Sequence, residues 1–154
     1  VSWFDTTDAE PAAQLAGVAV LDLYAGSGAV GLEAASRGAG PVILVEADRP
    51  TARLIEANGR DLGLRVDVRA AKAEAVAAGA GRAFDLVFLD PPYGVPTETV
   101  EALLASLADA ALAPRGLVVV ERSARDRAPE WPAVFTDTWE KNYGETTLYY
   151  GSLD

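Results

Sequence analysis

An α/β fold, built on one open and mostly parallel sheet with an antiparallel end, is predicted by three features of the sequence. Short apolar runs alternate with helical segments along most of the chain. The first run leads into a glycine-rich turn that opens a helix. The last two runs stand close together around Tyr143-Gly144, as the arms of a hairpin do. The 154 residues are one domain's length, and half of them are apolar. A single domain over residues 1–154, with a substantial buried core, is the expectation.

Taken in order, Val18–Leu23 reads as a buried strand that ends at the turn Ala25–Gly28. Ala29–Arg37 follows as a helix stopped by Gly38, then Val42–Glu46 as the second strand. Pro50–Leu62 is the second helix, with Gly63 as its C-terminal stop. Val66–Arg69 is a thin third strand, followed by a short alanine-rich helix near Ala73–Ala78. Phe84–Asp90 is the fourth strand and runs straight into Pro91-Pro92. Thr97–Ala111 forms a helix and Leu117–Glu121 the fifth strand. A polar loop, Arg122–Pro132, then leads to the paired strands Val134–Asn142 and Glu145–Gly151. Five βα units and a hairpin differ from the two equal βαβαβ halves of a dinucleotide-binding domain. In such a sheet the ligand sits at the carboxyl ends of the strands, where the strand order reverses. The glycine turn, Glu46 and Asp90 all fall on that edge.

Composition narrows the chemistry. The chain has no Cys, His or Met. A thiolate nucleophile, a disulfide framework, a Ser-His-Asp triad and an imidazole-bound zinc are therefore excluded, and no metal is expected. No apolar run is long enough to span a membrane, and no basic-then-apolar leader is present, so a cytoplasmic protein is expected. The formal charge is −10, with −3 carried through Arg82 and −7 from Ala83 onward. Taken alone, that balance argues against nucleic acid, because phosphate contacts need Lys and Arg.

Gly26-Ser27-Gly28-Ala29-Val30-Gly31 matches G-x-G-x-x-G between a strand and a helix, and Glu46 stands where a ribose-binding carboxylate belongs. That signature alone permits NAD as readily as an adenosyl ligand. Asp22, four residues before Gly26, separates the two. A carboxylate there repels a pyrophosphate and suits a cationic amino acid, such as the methionine part of S-adenosylmethionine. Asp22 lies too far ahead of the helix, on this reading, to cap it.

Asp90-Pro91-Pro92-Tyr93 fits one particular chemistry. The exocyclic amine of a base is a weak nucleophile because its lone pair is conjugated into the ring. Two hydrogen bonds accepted from its N–H groups, by Asp90 and the Pro91 carbonyl, aim that lone pair at an electrophile. The prolines hold the carbonyl in a fixed direction and add no amide donor. Tyr93 offers a flat face for a base that has left its helix. Attack on a methyl group is an in-line displacement, so positioning supplies most of the catalysis.

Leu21–Gly38 (LDLYAGSGAVGLEAASRG), Val45–Asp48 (VEAD), Phe88–Tyr93 (FLDPPY) and Tyr143–Tyr150 (YGETTLYY) resemble the RsmD family over nearly the whole chain. These are bacterial enzymes that methylate the N2 amine of one guanine in 16S ribosomal RNA. The resemblance implies a Rossmann-like class I fold with a seven-stranded, mostly parallel sheet and a C-terminal antiparallel hairpin. It also implies S-adenosylmethionine as cofactor and the RNA of the small ribosomal subunit as partner. By position, Asp22, Gly26 and Gly28 line the methionine side, Glu46 the ribose, and Asp90, Pro91 and Tyr93 the target amine. The family's adenine-contacting Asp falls at Ala71, followed by Lys72, leaving adenine to backbone groups or to a neighbouring position. Relatives also carry a Gly- and Arg-rich N-terminal extension that ends near the counterpart of Val1–Phe4. A chain without it is expected to bind the cofactor and to methylate RNA poorly. Its acidity then reads as that of a catalytic core lacking a basic arm.

D/NPPY corners also occur in adenine-N6 DNA methyltransferases and glutamine-N5 protein methyltransferases. An NAD-linked oxidoreductase is the alternative from another class, although no proton-relay cluster is visible for it. Elsewhere, Trp3 and Phe4 read as one apolar helix face, and Trp131 and Trp139 as packing residues. Tyr24 either edges the cofactor pocket or packs. Arg115, Arg122, Arg125 and Arg127 read as a solvated loop, given the neighbouring Glu121 and Asp126. Lys141 with Tyr143 is a candidate RNA contact, and a monomer is expected.

Overall fold

The computed structural model describes residues 15–80 and 83–154; the expected helix face of Trp3 and Phe4 lies outside them. The elements are β1 (Val20–Asp22), α1 (Ala29–Ser36), β2 (Val42–Val45), α2 (Arg49–Asp61), β3 (Asp67–Arg69) and α3 (Ala73–Ala78). They continue with β4 (Phe84–Leu89), α4 (Thr97–Ala110), β5 (Leu112–Ser123), β6 (Phe135–Tyr143) and β7 (Thr146–Leu153). The strands form one seven-stranded sheet in the order β3-β2-β1-β4-β5-β7-β6. The first five run parallel to their neighbours, while β7 is antiparallel to both β5 and β6. Successive units step outward from β1 to β3, and the chain then returns to place β4 on the other side of β1. That reversal opens the crevice in which such sheets hold their ligands.

Strands β1, β2 and β4 are buried on both faces, which is why they read as continuous apolar runs rather than alternating ones. Leu21, Ile43, Val87, Val118 and Val120 point to the side of α3 and α4, where Leu103, Leu104 and Leu107 meet them. Val20, Leu44, Leu86, Phe88 and Val119 face the opposite way, with Ala34 of α1 and Ile55 of α2. Asp48 caps α2 by accepting the Thr51 amide at 3.1 Å, and Pro50 fits the first turn because it lacks an amide to satisfy. Among the described residues, no helix is long and apolar enough to cross a membrane.

β5 differs most from expectation: it spans twelve residues instead of Leu117–Glu121. Its pairing with β4 shifts between Phe84↔Leu112 and Leu86↔Leu117. Pro114 and Gly116 look like chain breakers in the sequence, yet they lie in this irregularity, beside Arg115 at φ 64°. At the other end, pairing with β7 carries β5 on to Ser123↔Thr146. Arg122 is therefore a strand residue and not part of the following loop.

Candidate active site

The glycine turn brings α1 back over the end of β1. Gly28 precedes α1 with φ 82°, a left-handed conformation that favours glycine. A Cβ at Gly31 would lie 2.5 Å from a methyl of Leu44. This glycine lets the helix sit directly on the sheet, as the third glycine of the signature does. The close approach corrects one expectation. Asp22 does reach the helix: its Oδ2 accepts the Gly31 amide at 3.2 Å, across nine residues of sequence. The turn folds back tightly enough to bring a donor of the first helical turn onto the strand end.

The remaining oxygen of Asp22, Oδ1, is buried and has no hydrogen-bond partner. Burial raises the carboxyl pKa to about 7; the Gly31 amide opposes the rise, and the charges of Asp90 and Glu46 add to it. Asp22 thus sits buried behind the turn and off the cavity wall, with one acceptor committed and one without a partner.

In front of the turn lies a cavity of about 310 Å³ whose wall includes Leu23, Tyr24, Gly26, Glu46, Ala71 and Asp90. Glu46 follows β2 and accepts the Gly26 amide at 3.0 Å on Oε1 and the Asp48 amide at 2.9 Å on Oε2. Each oxygen keeps a lone pair for a ligand hydroxyl. The Tyr24 hydroxyl donates to Glu74 at 3.4 Å, and burial followed by the Glu74 charge pushes its pKa up to about 12. Ala71 stands on the wall but has no polar side-chain atom. Lys72 lines an adjoining open cleft of about 500 Å³, together with Tyr93 and Thr99. Gly28 is packed toward Ile55 and is absent from the cavity wall.

Asp90 follows β4 directly, and Pro92 shares the cavity wall with it. Desolvation holds the Asp90 carboxyl above the usual range. Pro91 is buried, whereas Tyr93 is fully exposed, its ring open to a partner. Glu121, at the end of β5, is raised by desolvation first and by the Asp90 charge second.

Behind this corner the sequence reading missed a residue. Arg122 is buried, donates to the Val95 carbonyl at 3.0 Å and to Thr97 Oγ1 at 3.3 Å, and pairs with Asp126 at 3.5 Å. It fastens the segment after Tyr93 to the neighbouring strand and is no part of a solvated loop. The period-two alternation Val118, Val120, Arg122 held the signal, since it places all three on one buried face. Arg127 is likewise engaged, with two bonds of 2.8 and 3.0 Å to Glu101.

Strand order, glycine turn and carboxylate positions together define the Rossmann-like class I methyltransferase fold. The structure superimposes on a Thermus thermophilus 16S rRNA N2 G1207 methyltransferase in complex with AdoMet and guanosine. The TM-score is 0.74 at 20% identity, over 93% of this chain and 39% of that one, and the likeness is one of fold. The family described as "Conserved hypothetical protein 95" matches residues 2–152, and the chain belongs to it. A conserved hypothetical protein of Streptococcus pyogenes shares the fold with a TM-score of 0.80 and 34% identity, over 91% of this chain and 88% of that one. Ribosomal RNA small subunit methyltransferase D of Escherichia coli (strain K12) is 34% identical over 128 residues. That match covers 81% of this chain, which spans 63% of the length of the relative.

Proposed function

We propose that the chain transfers a methyl group from S-adenosylmethionine to the exocyclic N2 amine of a guanine in small-subunit ribosomal RNA. The observation that carries this reading is the meeting of Asp90 and Pro92 with Glu46 and Gly26 on one cavity wall. The residues fit the cofactor. Glu46 retains acceptors for both ribose hydroxyls and Gly26 lets backbone approach the ligand, while Asp22, buried off the cavity wall, holds the first turn of the helix behind them. Bound there, S-adenosylmethionine supplies an electrophilic methyl group.

The chain's own residues do the positioning. Tyr93 stacks on the extruded base, while Asp90 and the Pro91 carbonyl accept the two N–H bonds of the amine and turn its lone pair toward the methyl. The amine attacks as a neutral group and becomes strongly acidic once methylated, so it loses its proton without a dedicated strong base. The name of the Escherichia coli relative supports small-subunit rRNA as acceptor. Guanine N2 follows from the RsmD resemblance together with the acceptor pair at the Asp90 corner.

Calorimetry with S-adenosylhomocysteine, and tritium transfer to small ribosomal subunits by the protein carrying Asp90→Ala, test the proposal. Undiminished ligand affinity with loss of at least a hundredfold in transfer is the expected result. Wild-type transfer by the variant refutes the mechanism, and transfer to DNA or to a protein amide in place of rRNA refutes the acceptor.

A further inference from the structure

β6 is the free edge of the sheet, and Thr136–Tyr143 are all exposed on it. The alternation of side chains puts Trp139, Lys141 and Tyr143 on one face and Thr138, Glu140 and Asn142 on the other. Trp139 is 41% exposed and stacks on Tyr150 of β7, with ring centroids 5.2 Å apart and an interplanar angle of 1°. The Lys141 ammonium lies 6.0 Å from the centre of the same Tyr150 ring. Tyr143 is 49% exposed, and after burial its nearness is what raises the Tyr150 pKa. Tyr150 itself is buried, so three outward groups stand on one fixed aromatic base.

The register relates this strip to the site. Leu89 pairs with Val120, and in the next row Glu121 pairs with Leu148 and Leu148 with Lys141. Asp90 follows Leu89, so Lys141 lies level with it three strand spacings away, about 14 Å. Tyr143 extends toward the same end of the sheet as Tyr93. Among the described residues Lys141 makes no ion pair, whereas Arg125 is paired with Glu145 and Arg127 with Glu101. Asp137, on the same face of β6, sits at the far end of the strand from Tyr143.

We propose that Trp139, Lys141 and Tyr143 form a platform for the single-stranded RNA that flanks the methylated base. Exposed rings with a cation between them match such a strand, because every base has a face to stack and every residue a phosphate. The platform rests on the reading of RNA as the methyl acceptor. On an acidic chain, it places Lys141, unpaired among the described residues, level with the target-amine corner, with an exposed ring to either side of it along the strand.

The test is binding of fluorescein-labelled small-subunit rRNA to the chain saturated with S-adenosylhomocysteine, measured over a salt series. Tyr143→Ala is expected to weaken RNA binding about tenfold. Lys141→Gln should flatten the slope of log affinity against log salt by about 1. S-adenosylhomocysteine affinity should be unchanged in both, and Thr138→Ala, on the opposite face, should alter neither quantity. Both variants lie on exposed positions, so they report independently of Trp139→Ala, which disturbs the Tyr150 stack. Wild-type RNA affinity and salt slope in both variants overturn the platform while leaving the acceptor reading intact. Failure of the wild-type chain to bind rRNA while it binds S-adenosylhomocysteine overturns the platform, and methyl transfer to DNA or to a protein amide in place of rRNA overturns the acceptor reading. A dimer seen by light scattering and dispersed by Tyr143→Ala makes the strip a contact between copies and also overturns the proposal.

Discussion

Asp22→Asn should make the protein more stable at neutral pH, by an amount that grows as pH rises. The carboxyl is 1% exposed, and its folded pKa is about 7 against an ordinary value of 3.8. Between those values the unfolded chain releases a proton that the fold retains. The stability this provides is complete below pH 3.8 and is lost as pH rises through 7. Each pKa unit corresponds to about 1.4 kcal/mol, so charging Asp22 costs the fold up to about 4 kcal/mol more than it costs the unfolded chain. Asparagine carries no charge at any pH and keeps an oxygen for the Gly31 amide. Urea unfolding of both proteins at pH 4 and pH 8 measures the difference, in which the other carboxylates cancel. The advantage of Asp22→Asn should increase by about 2–4 kcal/mol between the two pH values. A difference that stays constant with pH refutes the argument, because it would mean that the buried carboxylate is charged at no special cost.

Two further outcomes follow from the same geometry. Gly31→Ala brings a Cβ within 2.5 Å of the Leu44 side chain, in the middle of the sheet. Overpacking should outweigh the gain in helix propensity and leave a net loss of about 1–2 kcal/mol in chemical denaturation. A more stable variant would show that α1 can lift without penalty. Arg122→Met leaves the Val95 carbonyl and Asp126 without their partner, a loss of about 1–3 kcal/mol. Calorimetry on that variant should find S-adenosylhomocysteine affinity within about twofold of wild type, since the cavity wall at Gly26 and Glu46 does not touch Arg122. A collapse of ligand binding would contradict a role confined to the segment after Tyr93.

Much of the site is local in sequence, and those parts were legible. The turn Ala25–Gly28, Glu46 after β2 and the Asp90 corner after β4 each follow directly from a strand, so strand assignment alone puts them on one sheet edge. The alternation of apolar runs and helices foretold five parallel strands, and the turn at Gly144 foretold the hairpin. Contacts between distant residues were less accessible. Pro114 and Gly116 carry the local signature of a connection, and only pairing with β4 and β7 makes β5 twelve residues long. Arg122 looked like loop because charge usually marks solvent, but extension of β5 turned it inward toward Val95 and Thr97.

Glycines, prolines, carboxylates and short apolar runs act within a few bonds of where they stand. The sequence by itself therefore determined the α/β class, the identity of the ligand-facing edge and the residue types available for chemistry. Position across the sheet and burial depend on residues far away in the chain. Only the tertiary structure decided that Asp22 would hold the first turn of α1 at the expense of its own ionisation. The same is true of Arg122 behind the Tyr93 segment and of Lys141 in the row beside Asp90. In each case the deciding partner is a strand or helix brought near by the sheet order, and no local pattern encodes that distance.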